Sequence, residues 1–120
     1  MILAPIGFGF QIRSLQLFGV VYYFVLFGFE LIIWWVPYIM TPTGGWRRAY
    51  NFLLSCATSD FSEGDALVRW ESIYERLHGG TLTFLPNRGA KIVPNLEHSI
   101  LHLWTLLTAI CTFLAWRHAA

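Results

Sequence analysis

His98 and His102 stand four residues apart, so a helix would carry both imidazoles on one face, and Glu30 is a carboxylate set inside a long apolar run. Two histidines and one carboxylate are the ligand types that hold Zn²⁺ or Fe²⁺ with positions left open, so a divalent transition metal is one occupant to expect. Axial ligation of haem by one of the histidines is another, without an attachment motif to support it. The spacing reads His98-Ser99-Ile100-Leu101-His102, which lacks the glutamate of an H-E-x-x-H metalloprotease helix and argues against that hydrolase class. A proton relay through the same residues is a third chemistry, because histidine titrates near neutrality. The simplest reading has Glu30 and His102 bonded to each other to fix the register of two helices, with His98 reaching toward headgroups.

The remaining reactive side chains have plainer explanations. Thr43-Gly44-Gly45 before Arg47-Arg48 could open an anion-binding helix, but the phosphate-loop pattern is missing, and a turn with lipid-phosphate contacts from Arg47 and Arg48 suffices. Ser55 and Cys56 lie near no evident base, so nucleophilic catalysis has no basis in sequence. His78, just before Gly79-Gly80, reads as a helix C-terminal residue interacting with the dipole.

The elements that must position these residues follow from composition. Of the 120 residues 56% are hydrophobic and 12% charged, against about 45–50% and about 25% in ordinary soluble domains. The first forty residues hold just Arg13 and Glu30 as charges, and most others fall between Arg47 and Glu97. Apolar ends flanking a charged middle are the pattern of membrane spans joined by a loop, in contact with a lipid bilayer. The net charge of +1 leaves no basic face for nucleic acid, which is excluded as a partner. Cys56 and Cys111 are read as free thiols, too few for a disulfide framework.

The predicted architecture is all-α and integral to a membrane, with two antiparallel transmembrane helices and a connecting loop carrying an interfacial and an amphipathic helix. Residues 1–14 form an apolar arm broken by Pro5, Gly7 and Gly9. Residues 15–39 exceed the roughly 20 needed to cross hydrocarbon and form the first span. That stretch also exceeds the 7–15-residue core of a signal peptide and is followed by no A-x-A-like site, so it is read as retained. Trp34, Trp35 and Tyr38 cluster where an interfacial aromatic belt would anchor it, and Pro37, Pro42, Gly44 and Gly45 are expected to end the helix. Residues 40–95 form the loop. Within it a helix near 46–57 places Trp46, Ala49, Tyr50, Leu53, Leu54 and Ala57 on one face, and a second near 63–78 is expected to start at a Ser62/Asp65 capping box. Thr81 to Leu85 is expected to be extended or one arm of a hairpin. Asn95 is a good N-cap for the second span over 96–117, which exits at Trp116.

Depth and face then bring the first residues back. Glu30 lies about 12 Å of helical rise from Tyr38, and His98 and His102 lie roughly 3 and 9 Å from Leu96, so Glu30 and His102 are expected at one depth. His98, His102, Thr105, Thr108 and Thr112 share one face of the second span. Gln16, Gly19, Tyr23, Glu30 and Trp34 share one face of the first. Arg47, Arg48, Arg88 and Lys91 outweigh Arg13 and Arg117, which puts the loop in the cytoplasm. The expected function is that of a small non-enzymatic membrane component, a subunit associated with copies of itself or with other membrane subunits. The alternative is a metal- or cofactor-binding membrane protein built on Glu30, His98 and His102, within a redox or transport assembly.

Overall fold

The computed structural model describes residues 3–87, 89 and 91–119, the first three of these by backbone alone. Arg88, counted above toward orientation, and the first two residues of the predicted arm lie outside the described residues. All regular structure in the described residues is helical: α1 (Leu3–Gly9), α2 (Arg13–Glu30), a π-turn (Leu31–Trp35), α3 (Val36–Ile39), α4 (Gly44–Thr58), α5 (Ala66–His78) and α6 (Leu96–His118). Two stretches are long and apolar enough to cross a membrane by length and composition, Arg13–Ile39 with a mean hydropathy of 2.0 and Leu96–His118 with 1.6. The chain divides into a terminal unit, residues 1–28 with 100–120, and a central unit, residues 29–99.

In the terminal unit the chain reverses after α1 at Gln11, whose φ of 54° lies in the left-handed region, and the Ile12 N–H returns to the Gly7 carbonyl at 2.8 Å. Gln16 is buried and donates from Nε2 to the same carbonyl at 3.2 Å. A Cβ on Gly7 would fall 2.7 Å from Leu15 Cβ, so glycine is what allows α1 to approach α2 this closely. Arg13 sits over the indole of Trp116 at 5.5 Å, which places the first turn of α2 beside the last turns of α6. The withdrawn residues are Gln16, Gly19 and Val20 on α2 and His102, Thr105 and Ala109 on α6, largely the faces expected from the polar stripes. Along α6 the hydroxyls of Thr105, Thr108 and Thr112 each donate to the carbonyl four residues back, which satisfies them within an apolar helix.

The central unit is organised by Pro37. An α-helix would send the Val36 N–H to Ile32 and the residue-37 N–H to Ile33, but proline has no N–H and its ring crowds the carbonyl four residues back. The helix widens instead, and Val36 bonds to the Leu31 carbonyl, five residues back. Both displaced carbonyls find side-chain donors: the Tyr50 hydroxyl reaches Ile32 O at 2.8 Å, and Trp70 Nε1 reaches Ile33 O at 3.0 Å. The helical stretch runs through Pro37 to Ile39, and the carbonyls that Pro37 displaces tie α4 and α5 to the turn. The core beneath comprises Trp34, Tyr50, Leu54, Ala66, Leu67, Tyr74 and Ile92.

The start of α5 corrects one expectation. Asp65, not Ser62, is the N-cap, accepting from the Leu67 and Val68 N–H groups at 3.0 and 3.2 Å. Gly64 before it has a φ of 97°, which turns the chain sharply and keeps residues 62–64 out of the helix, so the Ser62 hydroxyl bonds Asp60 instead. After α5 the segment to Asn95 is irregular, with no strand among the described residues. It is tied down by Tyr38 Oη to the Pro86 carbonyl at 2.9 Å, Tyr74 Oη to Val93 O at 2.7 Å, and the Leu96 N–H to Leu82 O at 3.0 Å.

Candidate functional site

The densest chemistry in the central unit gathers around Trp34, which is 6% exposed. Its indole meets Trp70, Tyr74 and His78 edge-on, with ring centroids 5.6, 5.7 and 5.2 Å away, and His98 lies over it at 3.9 Å with the planes 31° apart. His78 and His98 in turn meet edge to face at 4.8 Å. The C-terminal turn of α5 supplies His78 and the N-terminal turn of α6 supplies His98, so two residues twenty positions apart share one aromatic neighbour. The edge-on contacts of Trp34 with Trp70 and Tyr74 suit the ring quadrupole, each contributing about 0.5–1.5 kcal/mol beyond the area it buries.

Asn95 orients His98. It is fully buried; its Oδ1 accepts the His98 backbone N–H at 2.8 Å, capping α6, and lies 2.8 Å from His98 Nδ1. A carbonyl oxygen only accepts, so Nδ1 carries the proton in this pairing and Nε2 is the acceptor of the neutral ring. The Asn95 amide donates to Thr81 Oγ1 at 3.0 Å, and that hydroxyl donates to His78 O at 2.6 Å. One buried amide therefore links the end of α5, the irregular segment and the start of α6.

The expected site residues are distributed as follows. Glu30 and His98 belong to the central unit and His102 to the terminal unit, where it is 3% exposed. Among the described residues no group of three or more His, Cys, Asp or Glu side chains is placed to hold a metal ion. Instead of reaching headgroups, His98 is half-buried on Trp34. Trp34 and Tyr38 are buried in the protein rather than displayed as a girdle, because the widened turn directs Trp34 onto α5 and the Tyr38 hydroxyl is held by Pro86. Trp35 packs edge-on to Tyr38 at 6.4 Å. Trp116 is half-buried against Arg13. Arg47, expected at lipid phosphates, donates from Nε to Asp65 at 2.7 Å, whereas Arg48 is exposed. Cys56 and Cys111 are free thiols.

Electrostatics in this unit serve the α4–α5 corner. Burial works against the Asp65 carboxylate, but Arg47 and the N–H groups of α5 outweigh it and hold its pKa below the usual range. Asp60 is brought to about 2 by the Ser62 hydroxyl and backbone and by Arg69, whose Nε lies 3.0 Å away. A shallow groove of about 580 Å³ runs beside α5, lined in part by Glu71, Glu75, His78, Thr81 and Lys91. Lys91 pairs with Glu71 across it at 3.0 Å.

The aromatic–histidine cluster is the feature that sequence reasoning missed. In sequence His78 reads as a helix C-terminal residue and Trp34 as part of an interfacial cluster with Trp35 and Tyr38, although the apolar stripe of α5 through Trp70, Tyr74 and Leu77 runs up to His78 and could have flagged the pairing. Comparison with protein-family models, curated proteins and solved structures finds no match for this chain.

Proposed function

We propose that this chain is a non-enzymatic membrane component that crosses the bilayer twice, with antiparallel spans Arg13–Ile39 and Leu96–His118, and works in association with copies of itself or with other membrane subunits. The observation that carries this reading is the exposure of the two long helices. In each, 17% of the most apolar stretch is buried, whereas the core helix of a soluble protein would be mostly buried. Phe18, Val21 and Val25 on α2 and Ile100, Leu103 and Trp104 on α6 are each about half exposed or more. Water would penalise such surface at about 25 cal/mol per Å², so lipid and partner helices are its natural cover. The contact of Arg13 with Trp116 supports opposite directions for the two spans. On this reading the connecting loop, residues 40–95, lies on the cytoplasmic side by the balance of basic residues.

The histidine cluster fits this role as a structural joint. Through Asn95, which bonds His98 and Thr81, it ties the connecting segment to the start of α6. The experiment is a mass determination by native mass spectrometry in mild detergent and in lipid nanodiscs. An oligomer or a co-purifying membrane subunit is the expected result. A strictly monomeric chain in every membrane mimetic, with nothing co-purifying, overturns the association.

A further inference from the structure

The apolar stripe of α4 is wider than its contacts. Tyr50 and Leu54 are buried against the π-turn and α5, and Asn51 and Arg47 on the same side bond Leu67 N–H and Asp65. The other half of the stripe faces outward: Trp46 is 43% exposed, Phe52 66% and Leu53 38%, with Ala49 exposed between them. Successive residues turn by about 100°, so Trp46, Ala49, Phe52 and Leu53 cover a continuous apolar face, bordered by Arg48 and Ser55.

We propose that this outer face of α4 is a membrane-surface anchor, seated in the headgroup layer of the same bilayer that the spans cross, with Arg48 at the lipid phosphates. The proposal rests on the two-span reading. Two observations choose a lipid surface as the occupant. The first is the tether: α4 starts at Gly44, and five Cα steps from Ile39 reach at most roughly 18 Å, so the helix cannot leave the neighbourhood of the span's end. The second is charge. α4 carries Arg47 and Arg48 and no carboxylate, and with Arg47 held by Asp65 the cation bordering the apolar face is Arg48, which complements phosphate. An amphipathic helix with aromatic and aliphatic side chains on one face and a basic border lies in the interface with that face about 5–10 Å into the headgroup and acyl boundary.

The test uses the full chain in vesicles of phosphatidylcholine and phosphatidylglycerol, with Cys56→Ser and Cys111→Ser as background. Nitroxide labels are placed through Ala49→Cys, Phe52→Cys, Glu63→Cys, Val21→Cys and Leu107→Cys, all at exposed positions, so that none removes a core contact. Relaxation by oxygen is compared with relaxation by a water-soluble nickel chelate. The labels at 49 and 52 are expected to favour oxygen several-fold over the label at 63, at a shallower depth than those at 21 and 107. Nickel access at 49 and 52 alongside lipid signals at 21 and 107 overturns the anchor and leaves the two-span reading standing. Shielding of 49 and 52 from both relaxants assigns the face to a protein partner and also overturns it. Nickel access at 21 and 107 brings down the two-span reading and the anchor with it.

Discussion

The indole N–H of Trp70 donates to the carbonyl of Ile33 at 3.0 Å, the carbonyl that Pro37 deprives of its helical donor. A proline four residues along the chain thus creates an acceptor that a side chain of another helix satisfies, and this converts an irregularity in α2–α3 into a docking point for α5. Trp70→Phe keeps most of the ring but strands the carbonyl, and a loss of about 1–3 kcal/mol is expected. Pro37→Ala restores the missing N–H, so adding it to Trp70→Phe should recover part of that loss. Thermal unfolding in detergent across the four-member cycle checks this; equal losses with and without Pro37 would show that the carbonyl is not the reason.

Asn95 offers a second test, because it combines a cap and a cross-link in one amide. Asn95→Asp retains the oxygen that caps α6 and removes the donor to Thr81; Asn95→Ala removes both. The alanine variant is expected to lose about 0.5–2 kcal/mol from the cap and to free the His98 ring. In hydrogen exchange, the His98 amide should remain protected in Asn95→Asp and lose protection in Asn95→Ala. Identical exchange in the two variants would contradict the capping role.

Acid should loosen the α4–α5 corner, and the direction follows from the carboxylates. Asp60 and Asp65 have folded-state pKa values below their unfolded ones, so the stability they confer is complete above about pH 4 and is lost as pH falls through the folded values, toward about 2 for Asp60. Asp65→Ala is expected to cost about 0.5–2 kcal/mol at neutral pH, through the lost cap more than through the half-exposed Arg47 pair. It should also flatten the acid limb of a melting-temperature profile between pH 5 and about 2. An unchanged acid limb in Asp65→Ala would show that this carboxylate does not carry the effect.

How much of this was legible in sequence depends on whether the signal was local. The cap at Asn95 and the stop at Gly79-Gly80 depend on neighbours within a turn, and both were readable. At α5 two capping residues competed, and Gly64 decided between them through a left-handed φ that residue type alone does not guarantee. Trp34, Trp35 and Tyr38 looked like an interfacial belt because a tryptophan buried in protein and one at a headgroup layer have the same sequence signature. What separates them is the long-range contact with Trp70, Tyr74 and His98, which no periodicity encodes. Pro37, Pro42, Gly44 and Gly45 together mark the end of the first long helix in sequence, whereas the rescue by Tyr50 and Trp70 of the carbonyls that Pro37 displaces is visible only in three dimensions. The faces of the two long helices were better predicted, because a polar stripe in an apolar helix has few places to go.

The most direct test of the two-span account is a topology map with one reporter inserted at Gly64, in the exposed turn before α5, and another fused after Ala120. The two reporters are expected on opposite sides of the membrane, the first in the cytoplasm. Both reporters on the same side would contradict the second crossing, and with it the account of Leu96–His118 as a span.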